Sequence, residues 1–174
     1  ASLYDLLRDA RATLDTDPPA HRLALKIWLG VWGYSALHLR SLSALCGVFT
    51  VWLTYNWGRW RYGARAGLWA AALLALWPLA IYYSREGKGY PFATLFACLS
   101  VYLWQHHLDS APRWRFWPWL AATLSAALAL GAHYYVALFM AAQGLGLALT
   151  LAITHIPWRE ALRRLGRWLS VNLA

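Results

Sequence analysis

Along the chain, long apolar runs alternate with short polar breaks. Five runs approach the roughly 20 apolar residues a helix needs to cross the hydrocarbon core of a bilayer: 39–57, 66–83, 90–107, 116–132 and 134–156. Each is continuous rather than alternating, which excludes the in-and-out pattern of a membrane barrel. Helices are then the remaining way to satisfy backbone N–H and C=O groups in lipid. The predicted fold class is all-α, a polytopic transmembrane helix bundle of about five helices. Residues 1–38 follow another pattern: Leu3, Leu6, Leu7, Ala10 and Leu14 recur at helical spacing while Asp5, Arg8, Asp9 and Arg11 take the other face. That describes a helix lying on a membrane surface. A second short helix is predicted from Asp17-Pro18-Pro19, where Asp can cap and Pro fits the first turn, to Gly33. Its apolar part, LALKIWLGVW, is too short to span. Three units result: interfacial helices over 1–38, the bundle over 39–156, and a basic amphipathic segment over 157–174 leading to a further helix.

Composition agrees with a membrane chain. Side chains are 60% hydrophobic and only 13% charged, and mean hydropathy is +0.38, outside ordinary soluble usage. The net charge of +9 would suit a nucleic acid if it lay along one polar face. Instead the cations sit in short clusters between apolar runs, which points to membrane topology and away from nucleic acid. Arg59, Arg61 and Arg65, then Arg113 and Arg115, then Arg159, Arg163, Arg164 and Arg167 mark three alternate connections as cytoplasmic. The remaining connections, namely 1–38, 84–89 and the turn around His133, then face outward. Trp57, Trp60, Trp104, Trp114, Trp117, Trp158 and Trp168 stand at predicted span ends, where interfacial anchors belong. Cys46 and Cys98 fall inside apolar runs without ligand spacing and read as packing residues. The absence of an initiator Met and a C-terminus that stops as an apolar run begins lead to the expectation of a fragment.

Candidate chemistry collects in the outward connections: Asp15 and Asp17 before Pro18-Pro19, Arg40 at the start of the first run, Arg85, Glu86 and Lys88 in the break at 84–89, and His133 with Tyr134 and Tyr135. Ionisable groups at the edge of apolar segments commonly face a cavity or a partner. Each has a plainer reading. Asp17 caps a helix, Glu86 pairs with Arg85 or Lys88, Arg40 snorkels, His133 bonds across a turn, and Tyr82, Tyr83 and Tyr90 belong to an aromatic belt. Gly87 and Gly89 either permit a sharp reversal or leave backbone N–H groups open to a phosphate.

Four stretches resemble the polytopic GT-C glycosyltransferases that use a polyprenyl-phosphate-linked sugar, in the branch similar to protein mannosyltransferases and lipid A aminoarabinose transferases. DTDPPAHRLALKIWLGVWG is similar to that family's first-loop segment, with Asp17 where His is usual and Ala20-His21-Arg22 in place of Leu-Tyr-Tyr. LRSLSALCGVFTV resembles an Arg-Leu-Pro-Ser-Ala-Leu-Phe-Gly run, keeping Arg40, Ser43, Ala44, Leu45 and Gly47. YYSREGKGY resembles Tyr-Ser-Gln-Glu-Ala-Arg-Met-Tyr, with Ser84, Glu86 and Tyr90 in register, Lys88 for Arg and Arg85 for Gln. GAHYYVALF is similar to a Thr-His-Tyr turn.

The resemblance implies an integral-membrane glycosyltransferase that moves a sugar from a polyprenyl-phosphate carrier to a lipid, glycan or protein acceptor on the outward face of a bacterial-type cell membrane. A carboxylate serves as base, with Asp17 and Glu86 as the catalytic candidates in this chain, while Arg40, Arg85, Lys88, Tyr90, His133 and Tyr134 bind substrate. The family's usual base, an Asp often followed by Glu, lies upstream of the Pro-Pro segment, so the fragment alone is expected to be inactive. No cofactor is expected, since the lipid-linked sugar is a substrate, and no acidic cluster has metal-ligand spacing. Expected partners are the donor, the acceptor and membrane lipids. The alternative is a non-catalytic membrane subunit that binds or transports a lipid phosphate.

Overall fold

The computed structural model describes residues 18–110, 116–154 and 157–172, with the side chains of 107–110 excepted. Every regular element among the described residues is helical. They are α1 (Ala20–Trp32), α2 (Ala36–Tyr62), α3 (Ala64–Leu76), α4 (Pro78–Arg85), α5 (Tyr90–Ser110), α6 (Phe116–Leu130), α7 (Val136–Ile153) and α8 (Trp158–Asn172). The all-α prediction holds, and each apolar run supplies a helix or a helix pair.

The helix limits have local causes. Ser35 is extended and its Oγ accepts from the His38 N–H at 3.1 Å, so α2 starts three residues before the predicted run. It continues to Tyr62 and ends at Gly63, whose φ is +92°. The run predicted as one span over 66–83 is broken. Pro78 has no N–H to give the Leu74 carbonyl and its ring would clash there. Trp77 N–H bonds that carbonyl at 3.2 Å, and α3 and α4 meet at a bend of 58°. The short helix before Gly33 is present as α1, but it begins at Ala20 with Pro19 at its N-cap and no side-chain cap. Asp17, the expected cap, and the surface helix expected from Leu3 to Leu14 lie outside the described residues.

By length and apolarity α2 and α7 can each cross a membrane, and the α3–α4 pair makes a third span if counted as one. Among the described residues α6 has 15 residues, or roughly 22 Å at the helical rise, short of that length. α5 is longer, but its sequence turns polar at Gln105-His106-His107 and Asp109. Only 22% of the most apolar window of α2, and 17% of that of α7, is buried against the protein. Trp69, Leu73, Leu76, Leu138, Leu145 and Ile153 point outward. Surfaces this apolar require lipid around them, so the molecule is a helical membrane protein.

Small residues bring the helices together. α6 packs along α5, and α3 along α2. One core joins Cys46 of α2, Phe92, Ala93 and Ala97 of α5, Ala126 and Ala129 of α6, and Val136 and Met140 of α7. Alanine at these positions allows close backbone approach, as usual between helices in membranes. Gly58 and Gly67 do the same for α2 and α3: a Cβ on Gly67 would lie 2.6 Å from the Tyr55 carbonyl oxygen and 2.7 Å from the Arg59 nitrogen. A second cluster sets Trp104 of α5, Ala122 of α6 and Val171 of α8 against one another.

Several tryptophans expected as interfacial anchors serve packing instead. Trp104 is buried, Trp57 Nε1 donates to Gln105 Oε1 at 3.0 Å, Trp60 stacks on His106 at 5.0 Å, and Trp168 packs on Gly144, where a Cβ would collide with its ring. Among these four, Trp57 is held by its indole hydrogen bond, whereas Trp60, Trp104 and Trp168 are held by ring packing. Trp117 and Trp158 are exposed as anchors should be, and Trp114 lies outside the described residues. Cys46 is buried in the core and Cys98 half-buried, in keeping with packing roles.

These contacts divide the molecule into two ends. Trp57 and Trp60 at the end of α2 meet Tyr102, Gln105 and His106 of α5, so the basic turn around Gly63 and the far end of α5 share one end. The start of α1, the 86–89 connection and the α6–α7 turn gather at the other.

Candidate functional site

The second end is assembled by close backbone approaches. The Ala20 N–H donates to the Gly131 carbonyl at 2.7 Å, tying the start of α1 to the α6–α7 turn. Gly89 lies against the buried ring of His21, a Cβ there being 3.3 Å from its Cγ. Gly87 has φ +69° and rests on Leu39, with a Cβ position 3.2 Å from the Leu39 carbonyl oxygen. Glycine is therefore required at 87 both by the left-handed backbone and by the packing. Ser43, only 1% exposed, donates its hydroxyl to the Lys88 carbonyl at 3.0 Å. One turn further along, Gly47 leaves room for Ser84. The two stretches LRSLSALCG and YYSREGKGY are thus interlocked, backbone to side chain, over two turns of α2.

Above this seam lies a cavity of about 450 Å³ lined by Arg40, Tyr82, Arg85, Glu86 and Lys88. Three cations face one carboxylate. Lys88 Nζ is 2.9 Å from Glu86 Oε2, and the Tyr82 hydroxyl donates to the same carboxylate. The Tyr82 hydrogen bond, then Lys88, hold the Glu86 carboxyl below its ordinary value, and Glu86 in turn holds the Lys88 ammonium above its own. Among the described residues neither Arg40 nor Arg85 is in an ion pair. The cavity therefore keeps an excess of positive charge and two guanidinium groups able to grip an anion in a fork.

A row of rings runs from the cavity wall. Tyr82 meets Tyr83 with centroids 5.2 Å apart, Tyr83 meets Tyr90 at 4.6 Å, Tyr90 meets His133 at 4.9 Å, and His133 stacks on Tyr135 at 5.1 Å. The Tyr135 N–H points at His133 Nδ1, 3.4 Å away.

Of the residues singled out in the sequence, Arg40, Arg85, Glu86 and Lys88 come together around one cavity, and Tyr90 and His133 stand beside it through the ring row. Tyr134 is exposed and outside that row, in which Tyr135 takes the terminal place. Asp17 and Asp15 lie outside the described residues. Ser43 and His21, which hold the 86–89 connection at Lys88 and Gly89, were not among the site candidates. Ser43 could have been noticed as a polar residue inside an apolar run, whereas nothing in the local pattern marks His21 as buried. Gly87 and Gly89 are accounted for by reversal and packing.

A family model described as dolichyl-phosphate-mannose-protein mannosyltransferase matches residues 16–174. Neither the curated proteins nor the solved structures contain a match to the chain.

Proposed function

Because the chain belongs to the dolichyl-phosphate-mannose-protein mannosyltransferase family, and so to the membrane glycosyltransferases, we propose that its cavity receives the phosphate of a polyprenyl-phosphate-linked sugar on the outward face of a cell membrane. The observation that carries this reading is the company of Arg40, Arg85 and Lys88 around one hollow, with a single carboxylate among them. A lipid-linked phosphate needs cations at the membrane boundary, an apolar flank for its chain and a way in from the bilayer. Exposed Tyr82, Leu79 and Ile81 on α4 supply the flank.

The reaction displaces the carrier. The acceptor oxygen bonds to the anomeric carbon, the bond from that carbon to the phosphate oxygen breaks, and its electron pair leaves with the phosphate. Cations placed where that charge develops lower the barrier. Glu86 acts as a positioning residue: held ionised by Tyr82 and Lys88, it fixes the ammonium toward the cavity. Being committed to those partners, it is poorly placed to take the acceptor's proton, a step that calls for another carboxylate. The row of tyrosines with His133 offers ring faces and hydroxyls to the sugar. The donor is itself a substrate, and the proposed step draws on no cofactor.

The test is binding of a polyprenyl phosphate to the chain in lipid nanodiscs. Lys88→Glu is expected to weaken it by about tenfold or more, while insertion and helicity are retained. Unchanged affinity in a folded Lys88→Glu variant would remove the phosphate from this cavity.

A further inference from the structure

α8 is anchored on one side and open on the other. Val171 is buried with Trp104 and Ala122, Trp168 fills the notch at Gly144, and Trp119 Nε1 donates to Ser170 Oγ at 3.2 Å. At helical spacing on the open side, Trp158 is 67% exposed, Leu162 58% and Leu169 44%. This apolar edge is flanked one position on by Arg159 and Arg163, both exposed. A Cβ added at Gly166, on the same flank, meets nothing within 4 Å. Water is a poor neighbour for such an edge, and a purely apolar surrounding is a poor neighbour for the arginines. A boundary between the two suits both, with the apolar edge toward acyl chains and the guanidinium groups toward headgroups.

The charge on this helix selects the headgroup. Its four arginines are set against Glu160 alone, which pairs with Arg163 and with Arg164, the latter at 2.8 Å. Arg159 lies over the Trp158 ring at 5.4 Å, which holds its guanidinium beside the apolar edge. Through the packing of α8 on α5 and α6, this helix belongs to the same end of the molecule as Arg59, Arg61 and Arg65 at the α2–α3 turn, opposite the candidate site. We propose that the open edge of α8, with Trp158, Leu162, Arg159 and Arg163, is a binding site for anionic phospholipid headgroups of the leaflet opposite the sugar-transfer cavity. The site is separate from that cavity and does not depend on the function assigned to it.

Hydrogen exchange of residues 158–172 in the full chain tests this, in nanodiscs of phosphatidylcholine alone and of phosphatidylcholine mixed with phosphatidylglycerol. Exchange over the first two turns of α8 is expected to slow on the order of tenfold in the mixed bilayer, from two arginines at an anionic surface. High salt should erase the difference. The double substitution Arg159→Gln with Arg163→Gln should abolish it, and Arg159→Lys with Arg163→Lys should keep it. Unchanged exchange around Trp168 and Val171 shows that α8 remains docked, and the lysine and salt arms decide the matter if the glutamine variant loosens. Equal protection in both bilayers, or a difference that survives in the docked glutamine variant, overturns the proposal and favours a protein neighbour for this edge.

Discussion

At the scale of single residues, the Glu86–Lys88 pair fixes what acid and base should do. The Glu86 carboxyl is depressed from an ordinary 4.5, so its contribution is present above that value and is lost as pH falls through the lower folded value. Lys88 is raised from an ordinary 10.5, so its contribution is present below that value and is lost as pH rises through the higher folded value. The pair should therefore add no pH dependence between about pH 5 and 10. Hydrogen exchange of the 86–89 connection, followed downward from pH 5, should show loosening only below 4.5, and Glu86→Gln should remove that acid limb. An acid limb of equal size in the Gln variant would assign it to another group. Sequence reasoning could find Arg40, Arg85, Glu86 and Lys88 because charges at the borders of apolar runs are conspicuous. Ser43 was visible only as a polar residue inside an apolar run, and His21 not at all as a buried one, because their roles exist only once α2, the 86–89 connection and α1 have been folded onto one another.

At the scale of elements, periodicity and apolar length were enough to place the apolar helical runs among the described residues, because a helix in lipid has to satisfy its own backbone. They were poor at helix ends and breaks. The Ser35 cap and the Gly63 stop are local chemistry beyond the apolar stretch, and Pro78, readable as a helix breaker, was absorbed into a run whose neighbours were all apolar. Nor did length separate anchoring tryptophans from packed ones, since Trp57, Trp60 and Trp104 depend on where α5 lies. The α2–α3 contact gives an element-scale prediction. Gly67→Ala places a methyl against the backbone of Tyr55 and Arg59, which cannot yield as a side chain would. Destabilisation of roughly 1–3 kcal/mol is expected, read as lower thermal stability in detergent. Gly146→Ala, inside α7 where a Cβ meets nothing within 4 Å, should not lower it. Equal effects at the two positions would mean that α2 and α3 do not touch there.

For the whole molecule, the arrangement depends on two ends with different chemistry. Among the described residues, the arginine-bearing α2–α3 turn and α8 gather at one, and the cavity with its row of rings at the other. The alternation of basic and non-basic connections made this division legible before any packing was known, since each span reverses the chain and carries successive connections to opposite ends. The cavity itself was not legible: its volume and its lining depend on the 58° bend between α3 and α4 and on the seam between α2 and the 86–89 connection.

The most direct test is labelling of single introduced cysteines by a membrane-impermeant maleimide in sealed vesicles of known orientation. Lys88→Cys at the cavity and Arg61→Cys and Arg163→Cys at the basic end are compared with the parent chain, whose Cys46 and Cys98 provide the background. Lys88→Cys is expected to react from the outward compartment alone, and Arg61→Cys and Arg163→Cys from the cytoplasmic compartment alone. Reaction of Lys88→Cys and Arg61→Cys from the same compartment would contradict this arrangement.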